Sequence, residues 1–357
     1  MDQAAFAAIS QEPVRGGTFP PVAIGLTGVD QLRLFMTGRA APPPIGHLIG
    51  MRPTEVGVGS VTFTMPITGW LATPQGVTTG GVVAILADGP LGCAIQTVLP
   101  AATGYTTSEL SINMVRPVPQ TGELIARGRL VHAGRRLGLS EVFITDDAGR
   151  LIAHGTSRCV IFSAVEHTPA RLEDFAPVAD EPAGWTPPYQ RPVCGEVLGQ
   201  EVWATRTGLE VMQDLIAGEL PAPPIGHLLG LFPTDAGEGT CSFSMRATGW
   251  LMSPLGLVEG GVTACLGDVA MGAAVQTTMP AGTAFAPTDL RVQFIRPVPA
   301  DGRLVTARAT VIHRGRGVAV MRAEVTNEDG KLVALTTGSA IVLPERRADL
   351  SDAPPLA

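Results

Sequence analysis

The chain is written twice. The segment PPIGHLIGMRPTEVGVGSVTFTM (43–65) recurs as PPIGHLLGLFPTDAGEGTCSFSM (223–245), with 13 of 23 positions identical at an offset of 180. The offset persists: Gly69-Trp70-Leu71 matches Gly249-Trp250-Leu251, Gly80-Gly81-Val82 matches Gly260-Gly261-Val262, and Asp88 matches Asp268. Gln96 matches Gln276, and Arg116-Pro117-Val118-Pro119 matches Arg296-Pro297-Val298-Pro299. One added residue then shifts the second copy, so that Gly149 pairs with Gly330. The copies cover 27–163 and 207–343. Each is domain-sized, unlike the short, numerous units of a solenoid. The duplication reads as two copies of a fold that pairs with itself. Residues 164–206, with six prolines and several acids, read as a Pro-rich linker long enough to cross a domain's width. An N-terminal extension (1–26) and a C-terminal tail (344–357) flank the copies.

Composition bounds what such a pair can be. Apolar residues make up 45% of the 357 and charged residues only 16%, so much apolar surface must be hidden. A membrane is not where it hides, because no stretch of about 18 residues is free of Gly, Pro and charge. The N-terminus carries Asp2 and Glu12 and has no basic region, so it does not read as a secretory signal. A net charge of −7 with interspersed signs, and 5% aromatics, argue against nucleic acid as a partner. Five scattered cysteines without metal spacing read as reduced thiols in a cytoplasm, with no metal site. Lys331 is the only lysine against many arginines, which fits a GC-rich bacterial genome.

Periodicity gives the elements of one copy. Residues 60–65 alternate, with Val61, Phe63 and Met65 on one face, and 108–116 alternate through Leu110, Ile112 and Met114. Three more strands are predicted at 122–133, 136–146 and 151–162, separated by turn signals. Between the first two strands lies Gly80–Val98, apolar nearly all round, which predicts a buried helix that Pro90 should bend. Weaker helices are predicted at 29–38 and 209–218. The economical α+β solution wraps a curved antiparallel sheet around the long helix. That is the hotdog fold, and a tandem of two would form a pseudo-dimer.

One acid stands in each apolar helix, Asp88 and Asp268. Burying a carboxylate is costly unless it is paired or used. A hydrogen-bonded structural Asp is the plainer alternative, but both copies keep the acid eight residues after the first Gly of a Gly-Gly pair. That pair opens the helix, where free N–H groups and the helix dipole favour a negative oxygen. Tight helix packing would equally explain the glycines. Eight residues along a helix span about 12 Å, so an Asp cannot serve the N-terminus of its own helix. An antiparallel partner supplies the missing half. Two composite sites are therefore expected, Asp88 facing loop 253–261 and Asp268 facing loop 73–81.

The segments TGGVVAILAD, ELSINMVRPV and HAGRRLGLSEVFITDDAGRLIAHGT, with EGGVTACLGD, DLRVQFIRPV and HRGRGVAVMRAEV in the second copy, resemble the PaaI-type acyl-CoA thioesterases of the hotdog superfamily. The resemblance spans most of both copies. It implies an Asp-activated water, or direct Asp attack, at the thioester carbonyl, with the N–H of Gly80 or Gly260 polarising the oxygen. Gly81 and Gly261 complete the pairs. The family's His position holds Thr79 and Glu259, and a usual Asn or Gln becomes Thr73 and Ser253. A water-holding Ser/Thr falls at Thr106, but at Ala286 in the second copy. CoA contacts are implied at Arg135, Arg136, Arg314 and Arg316, although turn arginines are often merely solvated. CoA enters as part of the substrate, no cofactor is implied, and the tandem chain could itself form a homodimer.

His47 and His227, repeated in PPIGHL, read as structural or as pocket-lining, and Trp70 and Trp250 as packing. Neither helix contains the His that a hotdog dehydratase would need. The sequence thus points to an acyl-CoA thioesterase for medium-chain or aromatic acyl groups. A non-catalytic acyl-CoA or apolar-ligand binding protein is the alternative, and a purely structural duplication the third reading.

Overall fold

A computed structural model of the chain describes residues 9–179 and 181–343. The expected tail 344–357 lies outside the described residues, as do residues 1–8 of the expected extension. In the first copy, α1 (Gly28–Met36) and α2 (Pro44–Ile49) lead into β1 (Arg52–Gly57), β2 (Ser60–Ile67) and the long α3 (Gly80–Gln96). Strands β3 (Tyr105–Met114), β4 (Gly122–Ala133), β5 (Leu137–Asp146) and β6 (Leu151–Ile161) follow. After the connecting helix α4 (Gln200–Thr205), the second copy repeats the order. It runs α5 (Gly208–Ala217), α6 (Pro224–Leu229), β7 (Phe232–Gly237), β8 (Thr240–Arg246) and α7 (Gly260–Gln276), then β9 (Ala284–Phe294), β10 (Leu304–Arg314), β11 (Val318–Asn327) and β12 (Leu332–Leu343).

The twelve strands of the described residues form one sheet, ordered β1-β2-β4-β5-β6-β3-β9-β12-β11-β10-β8-β7. The copies meet where β3 pairs antiparallel with β9, Ile112 opposite Leu290. This is the tandem hotdog architecture. Pairing two edges removes the unpaired backbone that each copy alone would expose. Each half has one strand beyond the five its periodicity predicts. The added β1 and β7 lie at the outer edges, half-exposed and bulged at Pro53 and Pro233, so no alternating core face marks them. A proline's missing N–H is tolerated at an edge.

The helices α3 and α7 are buried nearly all round, as their composition requires, and pack against each other beneath the sheet. Helix α3 runs unbroken through Pro90. The contact between them is close. A Cβ on Gly81 would lie 2.7 Å from the Cα of Cys265, and one on Gly261 only 2.5 Å from the Cα of Ile85. The second glycine of each pair is thus required by helix packing.

The segment between the copies is ordered against the body rather than a loose tether. Phe175, Leu198 and Trp203 are buried in it. The buried Trp70 donates its indole N–H to the Arg191 carbonyl at 3.0 Å, and Trp250 donates to the Glu12 carbonyl at 3.2 Å. Both tryptophans pin passing backbone to the body. His47 stands edge-on to Trp185, its ring 5.2 Å away, with Glu181 at 3.4 Å. No helix among the described residues is long and apolar enough to cross a membrane.

Candidate active site

The antiparallel packing of α3 and α7 carries each carboxylate to the other helix's N-terminus. Gly81 N–H donates to Asp268 Oδ2 at 2.7 Å, and Gly261 N–H donates to Asp88 Oδ2 at 2.9 Å. Each Asp caps the partner helix in trans, where an anion complements the helix dipole. Gly80, whose N–H has no acceptor among the described residues, lines a cavity, whereas the Gly260 N–H also helps lower the Asp88 carboxyl.

Burial raises both carboxyls to about 6, opposed at Asp268 by Gly81 and Thr79, and at Asp88 by Gly261, Thr107 and Gly260. Thr79 is the N-cap of α3: its hydroxyl accepts the Val82 N–H at 3.4 Å and also bonds Asp268. Its counterpart Glu259 makes no side-chain cap. The Glu259 carboxyl is buried, its Oε2 has no hydrogen-bond partner among the described residues, and burial with the Asp88 charge pushes it well above the usual carboxylate range. Thr73 is buried in a turn, its hydroxyl donating to the Val77 carbonyl at 2.9 Å, and Ser253 Oγ accepts the Leu255 N–H at 3.3 Å.

Two site expectations shift. The hydroxyl reaching Asp88 belongs to Thr107, at 3.5 Å, and Thr106 is exposed. A β-bulge between Thr107 and Glu109 is the reason. Strict alternation back from Leu110 points position 106 inward, but one extra residue reverses the facing upstream of the bulge. The second copy has Pro287 at the place of Thr107, so Asp268 has no equivalent strand hydroxyl. The arginines shift as well. Arg135, Arg136 and Arg316 are exposed on hairpins, while Arg314 bonds the Gly315 carbonyl and approaches the Met279 sulfur. None of the four lines the cavity. Arg116, of the repeated Arg-Pro-Val-Pro, and Arg150 do so instead. The repetition of Arg116 as Arg296 was the available signal.

The cavity has a volume of about 700 Å³. Thr79, Gly80 and Asp268 stand on its wall, and Trp203, Met212, Leu215, Phe243, Phe285 and Ile341 give it an apolar body. Arg116 donates to the Leu151 carbonyl at 2.8 Å, and Arg150 pairs with Asp146 at 2.7 Å.

The paired sheets and the two crossed Asp–Gly contacts define a tandem hotdog protein. The profile of the thioesterase superfamily matches residues 75–153 and again 255–334. The phenylacetic acid degradation protein PaaI of Thermus thermophilus is 32% identical, covering 34% of this chain and 99% of its own, with a TM-score of 0.31. The E. coli PaaI protein is 28% identical over 33% of this chain and 83% of its own, with a TM-score of 0.31. The tesB protein of Mycobacterium avium subspecies paratuberculosis is 14% identical, but covers 84% of this chain and 98% of its own with a TM-score of 0.50. The single-copy proteins are similar to one repeat, and the tesB protein spans both. The chain belongs to the thioesterase superfamily, as a PaaI-type hotdog in tandem.

Proposed function

We propose that the chain hydrolyses acyl-CoA thioesters of medium-chain or aromatic acyl groups at the seam between its copies. The observation that carries this reading is the position of Asp268 and the unspent Gly80 N–H on the wall of one large apolar cavity. In the proposed reaction Asp268 takes a proton from water, or attacks the thioester carbon itself. The Gly80 N–H receives the developing oxyanion; the C–S bond then breaks and the CoA thiolate leaves. It takes the proton held by Asp268 on the water route or, after direct attack, the proton released when water hydrolyses the acyl–aspartyl anhydride and frees the carboxylate. Removing one such donor typically costs about 10²–10³ in rate. Thr79 orients the carboxylate. The acyl group occupies the space lined by Trp203, Phe243 and Phe285, and Arg116 and Arg150 offer cationic partners to the CoA phosphates.

A second reading, binding without cleavage, draws on the bond between Gly81 N–H and Asp268, which spends one of the two donors of that helix. Thiol release from a series of acyl-CoA esters of increasing chain length, with aromatic members, separates the two. Turnover with a preference among the esters is expected of the hydrolase. Retained acyl-CoA with no thiol release favours the binding protein.

A further inference from the structure

The two seams are related by the repeat but are not equal. The offset of 180 relates Gly92 to Gly272, Tyr105 to Phe285 and Phe63 to Phe243. On the Asp268 side, a Cβ on Gly272 would meet nothing within 4 Å, and Gly272, Phe285 and Phe243 all line the cavity. On the Asp88 side, a Cβ on Gly92 would lie 3.0 Å from the Tyr105 hydroxyl. One on Gly89 would lie 3.2 Å from the Phe63 ring. Tyr105 is held there by donating to Gln96 Oε1 at 3.3 Å. The space that is open beside α7 is therefore filled by aromatic rings beside α3.

The donors differ in the same sense. Gly80 N–H is unspent, while at the other seam Gly261 N–H bonds Asp88 and the Gly260 N–H also helps stabilise that carboxylate. Glu259 adds a second buried carboxyl beside Asp88, where the other seam has the neutral Thr79. An oxyanion at that seam would find its donors taken and carboxyl groups for neighbours.

We infer that each chain holds one working acyl-CoA site, at Asp268, and that the Asp88 seam is closed. Asp88 there acts as a structural cap joining the copies, and Tyr105 and Phe63 occupy the volume an acyl group would need. The ligand class rests on the hydrolase reading above, but the asymmetry does not. The acyl chain at the open seam runs along the bare surface of Gly272.

The test titrates the full chain with S-octyl-coenzyme A, a thioether that cannot be hydrolysed, by calorimetry. One equivalent per chain is expected. In Gly272→Phe the new ring fills the cavity, so affinity should fall. A ring in that space should weaken binding roughly 10–100-fold, about 1.4–2.8 kcal/mol. Gly272→Leu, a smaller plug that also favours helix, should weaken binding less and leave the melting temperature unchanged or raised. Two equivalents per chain, no binding at all, or an unchanged affinity in both variants would overturn the inference. A chain that binds one thioether but releases no thiol from acyl-CoA would leave the inference standing and remove the hydrolase reading.

Discussion

The Gly81 N–H of the first copy donates to the Asp268 carboxylate of the second at 2.7 Å. The same contact that aligns base and donor also caps one copy's helix with the other's side chain. Assembly and proposed chemistry therefore share a geometry. The tandem connection keeps both halves of it on one chain.

Proton uptake should be visible in the rate. Burial, opposed by Gly81 and Thr79, raises Asp268 to about 6. The ionised form is the proposed base, so kcat/KM should rise with pH through about 6 and level off above it. Stability should run the other way. A carboxyl whose folded value lies above its unfolded one binds protons preferentially in the native state. Its contribution is full below about pH 4 and is lost as pH rises through about 6. A pH–rate profile paired with denaturant melts reads both.

Glu259 should be a liability at alkaline pH. Burial and the Asp88 charge raise its folded value, so the native state loses stability as pH rises from the ordinary carboxylate range. Glu259→Gln removes that titration while keeping the shape. The variant's melting temperature should gain on the parent between pH 5 and pH 8. A gap that shrinks with rising pH would contradict the assignment.

Trp70→Phe should loosen the connecting segment. It deletes the buried indole's bond to the Arg191 carbonyl and part of its volume. The expected cost is about 1–3 kcal/mol, from the lost hydrogen bond and the space left behind. Urea melts should show it, with faster proteolysis in 164–206 than in the parent.

Gly128→Ala should damage the first copy. A Cβ there would stand 2.4 Å from the Pro90 carbonyl oxygen, and helix backbone cannot move aside like a side-chain tip. Overpacking of this kind costs about 1–3 kcal/mol. Calorimetry of the variant should show a lower transition.

Much of this was legible because a duplicated chain reports twice. Val61, Phe63 and Met65 alternate with hydroxyl residues in the sequence of β2, and Cys241, Phe243 and Met245 repeat the pattern. The long helices followed from apolar runs too long for strands. What escaped was local or three-dimensional. The edge strands β1 and β7 have no buried face to impose a period. The bulge at Thr107–Glu109 adds one residue to β3, and no composition rule marks where; the family resemblance had placed the hydroxyl at Thr106, one residue from Thr107. Arg116 and Arg150 lie far apart in sequence and meet only at the cavity. The inequality of the seams depends on what Tyr105 packs against, which a one-dimensional match to Phe285 does not reveal.

The most direct measurement of the central claim is steady-state thiol release from the best acyl-CoA substrate by the parent and by Asp268→Asn. Asparagine keeps an oxygen for the Gly81 N–H but cannot take the proton. Turnover by the parent is predicted, with a fall in kcat of roughly 10²–10⁴ in the variant and the fold retained. Turnover unchanged in Asp268→Asn would contradict the claim.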